Sequence, residues 1–270
     1  MSLGNLMVKM AECLQVTRKA AKFIKTNIGQ VQSSQIIEKE RNSLVSFVDE
    51  GAEKILVAGL AEIIPDAGFL TEEGTVAKEE KSAMWIIDPL DGTTNFLLGI
   101  PHFAVSVALK VDNELILGVV IEVNSGDEFT CYKGGGAFLN GFPIRVTSET
   151  NIANVAVATG FPYADRSDVE NYFPTLSYFL KNTRDVRRFG SAALDLAYVA
   201  CGRYGAYYEN RLSVWDVAAG ILLVREAGGE VRSYSNFDDP MGGSVVAASP
   251  DLMPQVMKGI SLIKDSVILT

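Results

Sequence analysis

The run Trp85-Ile86-Ile87-Asp88-Pro89-Leu90-Asp91-Gly92-Thr93-Thr94-Asn95-Phe96 carries two carboxylates off an apolar strand into a Pro/Gly turn. Oxygen ligands at that spacing suit a hard cation such as Mg²⁺, which takes carboxylates, carbonyls and water. A short helix opening at Gly92-Thr93-Thr94 would turn free N–H groups outward, and the glycine lets a phosphate oxygen approach them. In isolation an ordinary capped turn would look the same. Two further segments place acids where they could join these. Phe69-Leu70-Thr71-Glu72-Glu73-Gly74 ends a short apolar strand on paired glutamates, and Val214-Trp215-Asp216-Val217-Ala218-Ala219-Gly220 puts one acid at the start of an apolar helix. Each also has a plainer reading: a solvated loop for Glu72-Glu73, and an acid favoured by the helix macrodipole for Asp216.

The elements around these acids follow from periodicity. Residues 3–26 read as an amphipathic helix with Leu6, Met10, Leu14, Ala21 and Ile24 near one face. A second helix is expected to start at Asp49 as N-cap and to end before Pro65, after a short strand over residues 44–48. Denser β signals follow at 85–87, 103–111, 115–123 and 128–132. Turn signals at Asp112-Asn113 and at 124–127 make the last three an antiparallel meander. Beyond Gly134-Gly135-Gly136, helices are expected over 168–181, 191–201, 214–227 and 250–263, with extended segments at 205–209 and 245–247. This order predicts an α+β first half and an α/β second half with layered sheets. The boundary falls near 147–153, giving halves 1–148 and 149–270 packed as one unit.

Composition narrows the chemistry. The chain has 270 residues, 48% hydrophobic and 21% charged, enough for one large domain or two fused small ones. A formal net charge of -9 argues against nucleic acid or an anionic membrane as main partner. The single histidine, His102, excludes a His-rich zinc site, so carboxylates are expected to carry the chemistry. His102 itself reads as a packed or capping residue beside a strand, and Trp85 and Trp215 as packing for the strand and helix that present the acids. Cys13, Cys131 and Cys201 form no CxxC pair and read as buried thiols. The glycine triplet at 134–136 lacks the Lys and Ser/Thr of a P-loop. With no secretory signal and no apolar run of bilayer length, a cytoplasmic location is expected.

Taken together, the Glu72-Glu73 pair, the run Asp88–Phe96, residues 190–209 (Gly-Ser-Ala-Ala-Leu-Asp-Leu-Ala through Ala-Tyr-Tyr-Glu) and Trp-Asp-Val-Ala-Ala-Gly at 215–220 resemble the inositol monophosphatase family. That family belongs to the magnesium-dependent, lithium-sensitive phosphatase superfamily, and the resemblance covers nearly the whole chain. It implies a layered αβαβα sandwich of the sugar-phosphatase type and a homodimer. Glu72, Asp88 and the Leu90 carbonyl resemble ligands of a first metal. Asp88, Asp91 and Asp216 resemble those of a second, with Asp88 bridging, and a weaker third ion would use Glu72 and water. The implied cofactor is Mg²⁺, two or three ions, with Mn²⁺ as a substitute and Li⁺ as an inhibitor. Asp49 and Thr93 resemble the pair that positions and helps deprotonate the attacking water, with Glu72 counted in the catalytic group. Gly92 and Thr93 would hold the phosphate; Gly190, Ser191, Ala192 and Glu209 match polyol-contacting positions, and Asp91 and Asp216 join the substrate contacts.

The chain departs from the family pattern in two places. Thr71 stands where glycine often precedes the paired glutamates, and Ser43-Leu44-Val45-Ser46 replaces a common Asp-Leu-Val-Thr. Lys39 lies near a family lysine on a metal-binding loop and is kept outside the site set. The implied reaction is hydrolysis of a polyol or sugar phosphate monoester, myo-inositol 1-phosphate first, by in-line attack of metal-activated water. Fructose 1,6-bisphosphate, histidinol phosphate and phosphoadenosine phosphate stay open as substrates. A catalytically idle regulatory scaffold stays open as a different class.

Overall fold

Helix α1 (Leu3–Thr26) and helix α2 (Phe47–Ile63) form the first layer. On α2, Val48, Ala52, Leu56 and Leu60 repeat every four residues and are fully buried, the spacing that aligns side chains along one helical face. Asp49 does not cap this helix. Ser46 is the N-cap: its hydroxyl accepts from the Val48 N–H, and the Asp49 carboxylate at N3 accepts from the Ser46 N–H. This reciprocal capping box starts the helix at Phe47, so the strand expected over 44–48 ends at Val45. The computed structural model describes residues 3–32, 37–40, 43–161, 169–235 and 240–263. Lys39 falls in the short strand β1 (Ile37–Glu40), which pairs with β2 (Ser43–Val45), and its side chain lies outside the described residues.

A seven-stranded sheet packs on α1 and α2. In spatial order it runs β3 (Gly68–Thr71), β4 (Ala83–Asp91), β5 (Ala104–Val111), β6 (Glu114–Glu122), β7 (Glu128–Tyr132), β8 (Gly136–Leu139) and β9 (Phe142–Ile144). Only β3 and β4 are parallel; the rest is the expected meander, extended by two short strands. Its faces alternate as a pleat requires. Trp85, Ile87, Val105 and Val107 join the core under α1 and α2, whereas Ile86, Ala104, Ala108 and Val120 face the other way. That second face meets α5 (Ala192–Ala200) and α6 (Val214–Glu226), the middle helical layer.

The middle layer is closed by a five-stranded sheet: β11 (Asp185–Arg187), β10 (Ala156–Thr159), β12 (Ala206–Leu212), β14 (Gly243–Ala248) and β13 (Glu230–Arg232). Here β10 is parallel to both neighbours, and β14 antiparallel to both of its own. Tyr207, Val245 and Ala247 face α5 and α6; Tyr208, Val246 and Ala248 face α4 (Val169–Asn182) and α7 (Met253–Ile260). The layers are therefore αβαβα. Among the described residues no helix is long and apolar enough to cross a membrane.

Strand β4 and the helix behind it position the motif. The expected Pro/Gly turn is instead the end of a bulged strand. Asp88 pairs with Ser106 and Asp91 with Ala104, so three steps on β4 oppose two on β5. Without the extra residue, Asp88 and Asp91 would point to opposite faces; the bulge returns Asp91 to the face of Asp88. Leu90 sits between them in the opposite core. Helix α3 (Thr93–Leu98) then starts from Gly92, whose φ is 95°. A Cβ there would lie 3.1 Å from the His102 carbonyl oxygen and 3.3 Å from that of Gly190, so glycine meets both the conformation and the space. Cys13 and Cys131 are buried as expected, while Cys201 is only half-buried.

Candidate active site

Four carboxylates from three separated segments meet at the ends of β3 and β4 and the start of α6. Asp88 is fully buried, and its Oδ1 accepts from the Leu90 N–H at 2.9 Å. Burial, and then the charges of Glu72, Asp91 and Asp216, raise its pKa well above the ordinary range. Asp216 is raised well above that range too, first by burial and then by Asp91 and Glu72, while its Oδ2 accepts from the Ser213 N–H at 2.6 Å. Asp91 is pushed up to about 6 by burial, against the lowering effect of Ser191, Ala193 and Ala192, which hydrogen-bond to it, and of the Arg188 charge. Its Oδ2 accepts from Ser191 Oγ at 2.6 Å and the Ala193 N–H at 2.8 Å. Glu72 is half-buried, with its N–H bonded to the Ile87 carbonyl at 3.2 Å, one residue before Asp88.

Among the described residues, no three of these side chains converge closely enough to enclose an ion by themselves. They are neighbours rather than a closed cage, and Asp91 and Asp216 each turn one oxygen to nearby donors. The donor set nonetheless fits divalent hard cations: it is all oxygen, and burial, followed by the charges of neighbouring acids, raises Asp88 and Asp216. The residues that would hold such ions are Glu72, Asp88, Asp91, Asp216 and the Leu90 carbonyl.

Beside this cluster, Asp49 and Thr93 are joined. Thr93 Oγ1 donates toward Asp49 Oδ1 at 2.9 Å and lies 3.0 Å from the Leu90 carbonyl oxygen. Asp49 Oδ2 accepts from the Ser46 N–H at 2.8 Å and from Ser46 Oγ at 2.7 Å. Burial raises the Asp49 pKa, and the bonds from Ser46 and Thr93 offset part of that.

The remaining candidates line the C-terminal side. Ser191 caps α5, and its hydroxyl is committed to Asp91, while Ala192 is buried and Gly190 half-buried. Glu209 is buried, accepts from the Tyr207 hydroxyl at 2.7 Å, and is pushed up to about 7 by that burial. A Cβ on Gly160 would lie 1.8 Å from Glu209 Cδ, so only glycine lets this carboxylate rest against the chain. Residues 162–168 lie outside the described residues.

Three supporting residues escaped the sequence reading. Ser46 holds Asp49. Asn95, inside the motif but without an assigned role, donates to the carbonyls of His102 at 2.8 Å and Phe189 at 2.7 Å, tying α3 to the 189–193 segment. Asp195 is fully buried with Oδ1 lacking a hydrogen-bond partner, and Glu209 and Asp91 raise its pKa further after burial. Its position four residues after the N-cap Ser191 was legible; its burial was not. His102 packs against Phe189 and Tyr198, with ring centroids 5.0 and 6.0 Å away.

A stability prediction follows from these shifts. Carboxyls raised by folding bind more protons in the folded than in the unfolded chain, from about pH 4 up to the folded values near 6 and 7. Without added ions, stability should therefore fall as pH rises through that window. In chelator, the thermal midpoint is expected to be higher at pH 5.5 than at pH 8, and Mg²⁺ should raise it more at pH 8. A midpoint that climbs with pH over this range would contradict the clustered-acid account.

The inositol monophosphatase family model matches residues 7–264. An inositol-1-monophosphatase of Mesorhizobium japonicum is 41% identical over 261 residues, covering 96% of both chains. The Nus factor SuhB of Xylella fastidiosa is 43% identical over 236 residues, 87% of this chain and 83% of that protein. The crystal structure of the extragenic suppressor protein SuhB from Bartonella henselae superposes with a TM-score of 0.89 at 37% identity, covering 93% of this chain and 97% of that one. A family match over nearly the whole chain, with relatives this similar along most of their length, establishes that the chain belongs to the inositol monophosphatase family and is a phosphatase.

Proposed function

We propose that the protein hydrolyses a polyol or sugar phosphate monoester, with myo-inositol 1-phosphate the first candidate, in a Mg²⁺-dependent reaction. The observation that carries this reading is the meeting of Glu72, Asp88, Asp91 and Asp216 in one cluster beside the Asp49–Thr93 pair. Bound divalent ions would supply charge neutralisation and Lewis acidity, which phosphate-ester hydrolysis needs because its uncatalysed rate is so low. The residues do the rest. Thr93 gives its hydroxyl proton toward Asp49 Oδ1, which leaves its oxygen free to accept a hydrogen bond from the attacking water and orient it. The first-turn N–H groups of α3 at Gly92 and Thr93 are not used within the helix and suit a phosphate oxygen. Glu209, Gly190 and Ala192 are read as the rim that meets the alcohol. Asp91 and Ser191 act as a joined unit, so Ser191 contributes by fixing Asp91 as well as by any contact of its own.

Each sheet is drawn from one side of residue 148, which supports dividing the chain into a 1–148 half with the metal-binding loop and a 149–270 half with the substrate contacts. Exposed Leu98, Ile100 and Phe189 cluster near α3 and support a homodimer. A cytoplasmic location remains part of this reading.

The Nus factor name of one relative supports a second, partner-binding role for this chain alongside catalysis. The full acid set speaks against an idle scaffold. Phosphate release should be measured with Mg²⁺ across myo-inositol 1-phosphate, fructose 1,6-bisphosphate, histidinol phosphate and phosphoadenosine phosphate, with and without lithium. Release from the inositol ester, suppressed by lithium, is expected. Release from none of the four would favour the scaffold.

A further inference from the structure

One turn beyond Asp49, helix α2 carries a second buried carboxylate. Glu53 is fully buried, and its side chain accepts four hydrogen bonds, all from residues 71–75. Its Oε1 accepts from Thr71 Oγ1 at 3.0 Å, the Thr75 N–H at 2.7 Å and Thr75 Oγ1 at 2.6 Å. Its Oε2 accepts from the Glu73 N–H at 2.8 Å. A buried carboxylate is costly unless its lone pairs are met, and here amides and hydroxyls of one short segment meet them. Glu72 lies inside the bracket, with its own N–H on the Ile87 carbonyl. Its backbone is thus held from β4 on one side and from α2 on the other. An apolar residue at 53 would fill the space but could not hold these amides. Thr71, where the family resemblance leads one to expect glycine, contributes a hydroxyl that glycine does not have.

We propose that Glu53 is a positioning residue for Glu72, acting through the 71–75 segment, and that Thr71 is part of the same brace in this chain. The proposal rests on the reading of Glu72 as a metal-holding carboxylate. Because Asp49 and Glu53 sit at i and i+4 on one helical face, α2 then sets both the water-positioning pair and the Glu72 arm of the metal cluster. The side chain one helical turn beyond the capping box thereby acts on ion binding without touching the ion.

The test is Mg²⁺ titration calorimetry on the full chain and on Glu53→Gln, Thr71→Val, Thr75→Val and Glu72→Gln, with thermal midpoints and the Mg²⁺ dependence of phosphate release. Gln at 53 keeps the shape but presents an amide group where an acceptor is needed. Glu53→Gln is expected to weaken Mg²⁺ binding by about 10–100-fold, the usual effect of losing a residue that orients a ligand. Its kcat should recover most of the wild-type value at saturating Mg²⁺. Thr75→Val and Thr71→Val retain the amide bonds and should weaken binding several-fold while folding normally; they decide the matter if Glu53→Gln does not fold. Lowered thermal midpoints with unchanged Mg²⁺ affinity in the brace variants would overturn the proposal, since a purely structural contact gives that pattern. If Glu72→Gln itself leaves Mg²⁺ affinity unchanged, the underlying reading of Glu72 fails instead.

Discussion

Replacing Asp88 with asparagine is expected to cut phosphate release by about 10³-fold or more while the fold stays intact. Asp88 is the carboxylate whose pKa three neighbouring acids raise after burial, so it stands at the centre of the cluster. Asparagine keeps the size of the side chain and an oxygen to accept the Leu90 N–H. What it removes is one negative charge in a site where charge is the means of holding ions. The same removal ends the repulsion between residue 88 and Glu72, Asp91 and Asp216. The variant should therefore melt no lower than the wild type in chelator at pH 8, although it is inactive. Circular dichroism, thermal melting and phosphate release on the same preparation check both halves. Near-wild-type turnover would defeat the assignment, and an unfolded variant would show that Asp88 serves the core instead.

The second large effect is expected at Asp49. Asp49→Asn should lower kcat by about 10²–10⁴-fold, the range for losing a group that manages a proton in the transition state. The residue has two jobs on two oxygens: Oδ2 closes the capping box with Ser46, and Oδ1 receives the Thr93 hydroxyl. Asparagine can satisfy one side only with an oxygen, so it also loses part of the cap. Ser46→Ala separates the two. It should cost about 1 kcal/mol of stability, as N-cap losses do, while leaving the Thr93 contact and most of kcat in place. Equal losses of kcat in the two variants would mean that Asp49 matters only through the helix start.

The candidate site was legible in the sequence wherever its members are adjacent in the chain. Asp88, Asp91, Gly92 and Thr93 fall within six residues, and chemistry alone suggests a cation and a phosphate there. What the sequence hid is how Asp88 and Asp91 come to share a face, because a bulge is a property of pairing with β5 rather than of the residues alone. Glu53 was hidden for a related reason. It looks like an ordinary acid on an amphipathic helix, and its partners lie 18 to 22 positions away. Ser46 was passed over because Asp49 is an equally good cap by type; only the hydrogen-bond pattern tells N-cap from N3. The meander and the long helices were readable from period and turn signals. Asp112 and Asn113 both adopt positive φ, 48° and 67°, in the turn that separates β5 from β6. The strands at 136–139, 142–144 and 185–187 were not readable, since three or four residues carry too little alternation to stand out.

The most direct test of the central claim is calorimetric titration of ion-free protein with Mg²⁺ at pH 6 and pH 8, in buffers of different ionisation enthalpy. If the cluster of Glu72, Asp88, Asp91 and Asp216 is an ion site, at least two ions should bind and should displace protons at pH 6. Binding should be tighter at pH 8, where fewer protons compete, and should be lost or strongly weakened in Asp88→Asn. Binding that is absent at millimolar Mg²⁺, or that is identical in Asp88→Asn, would contradict the account.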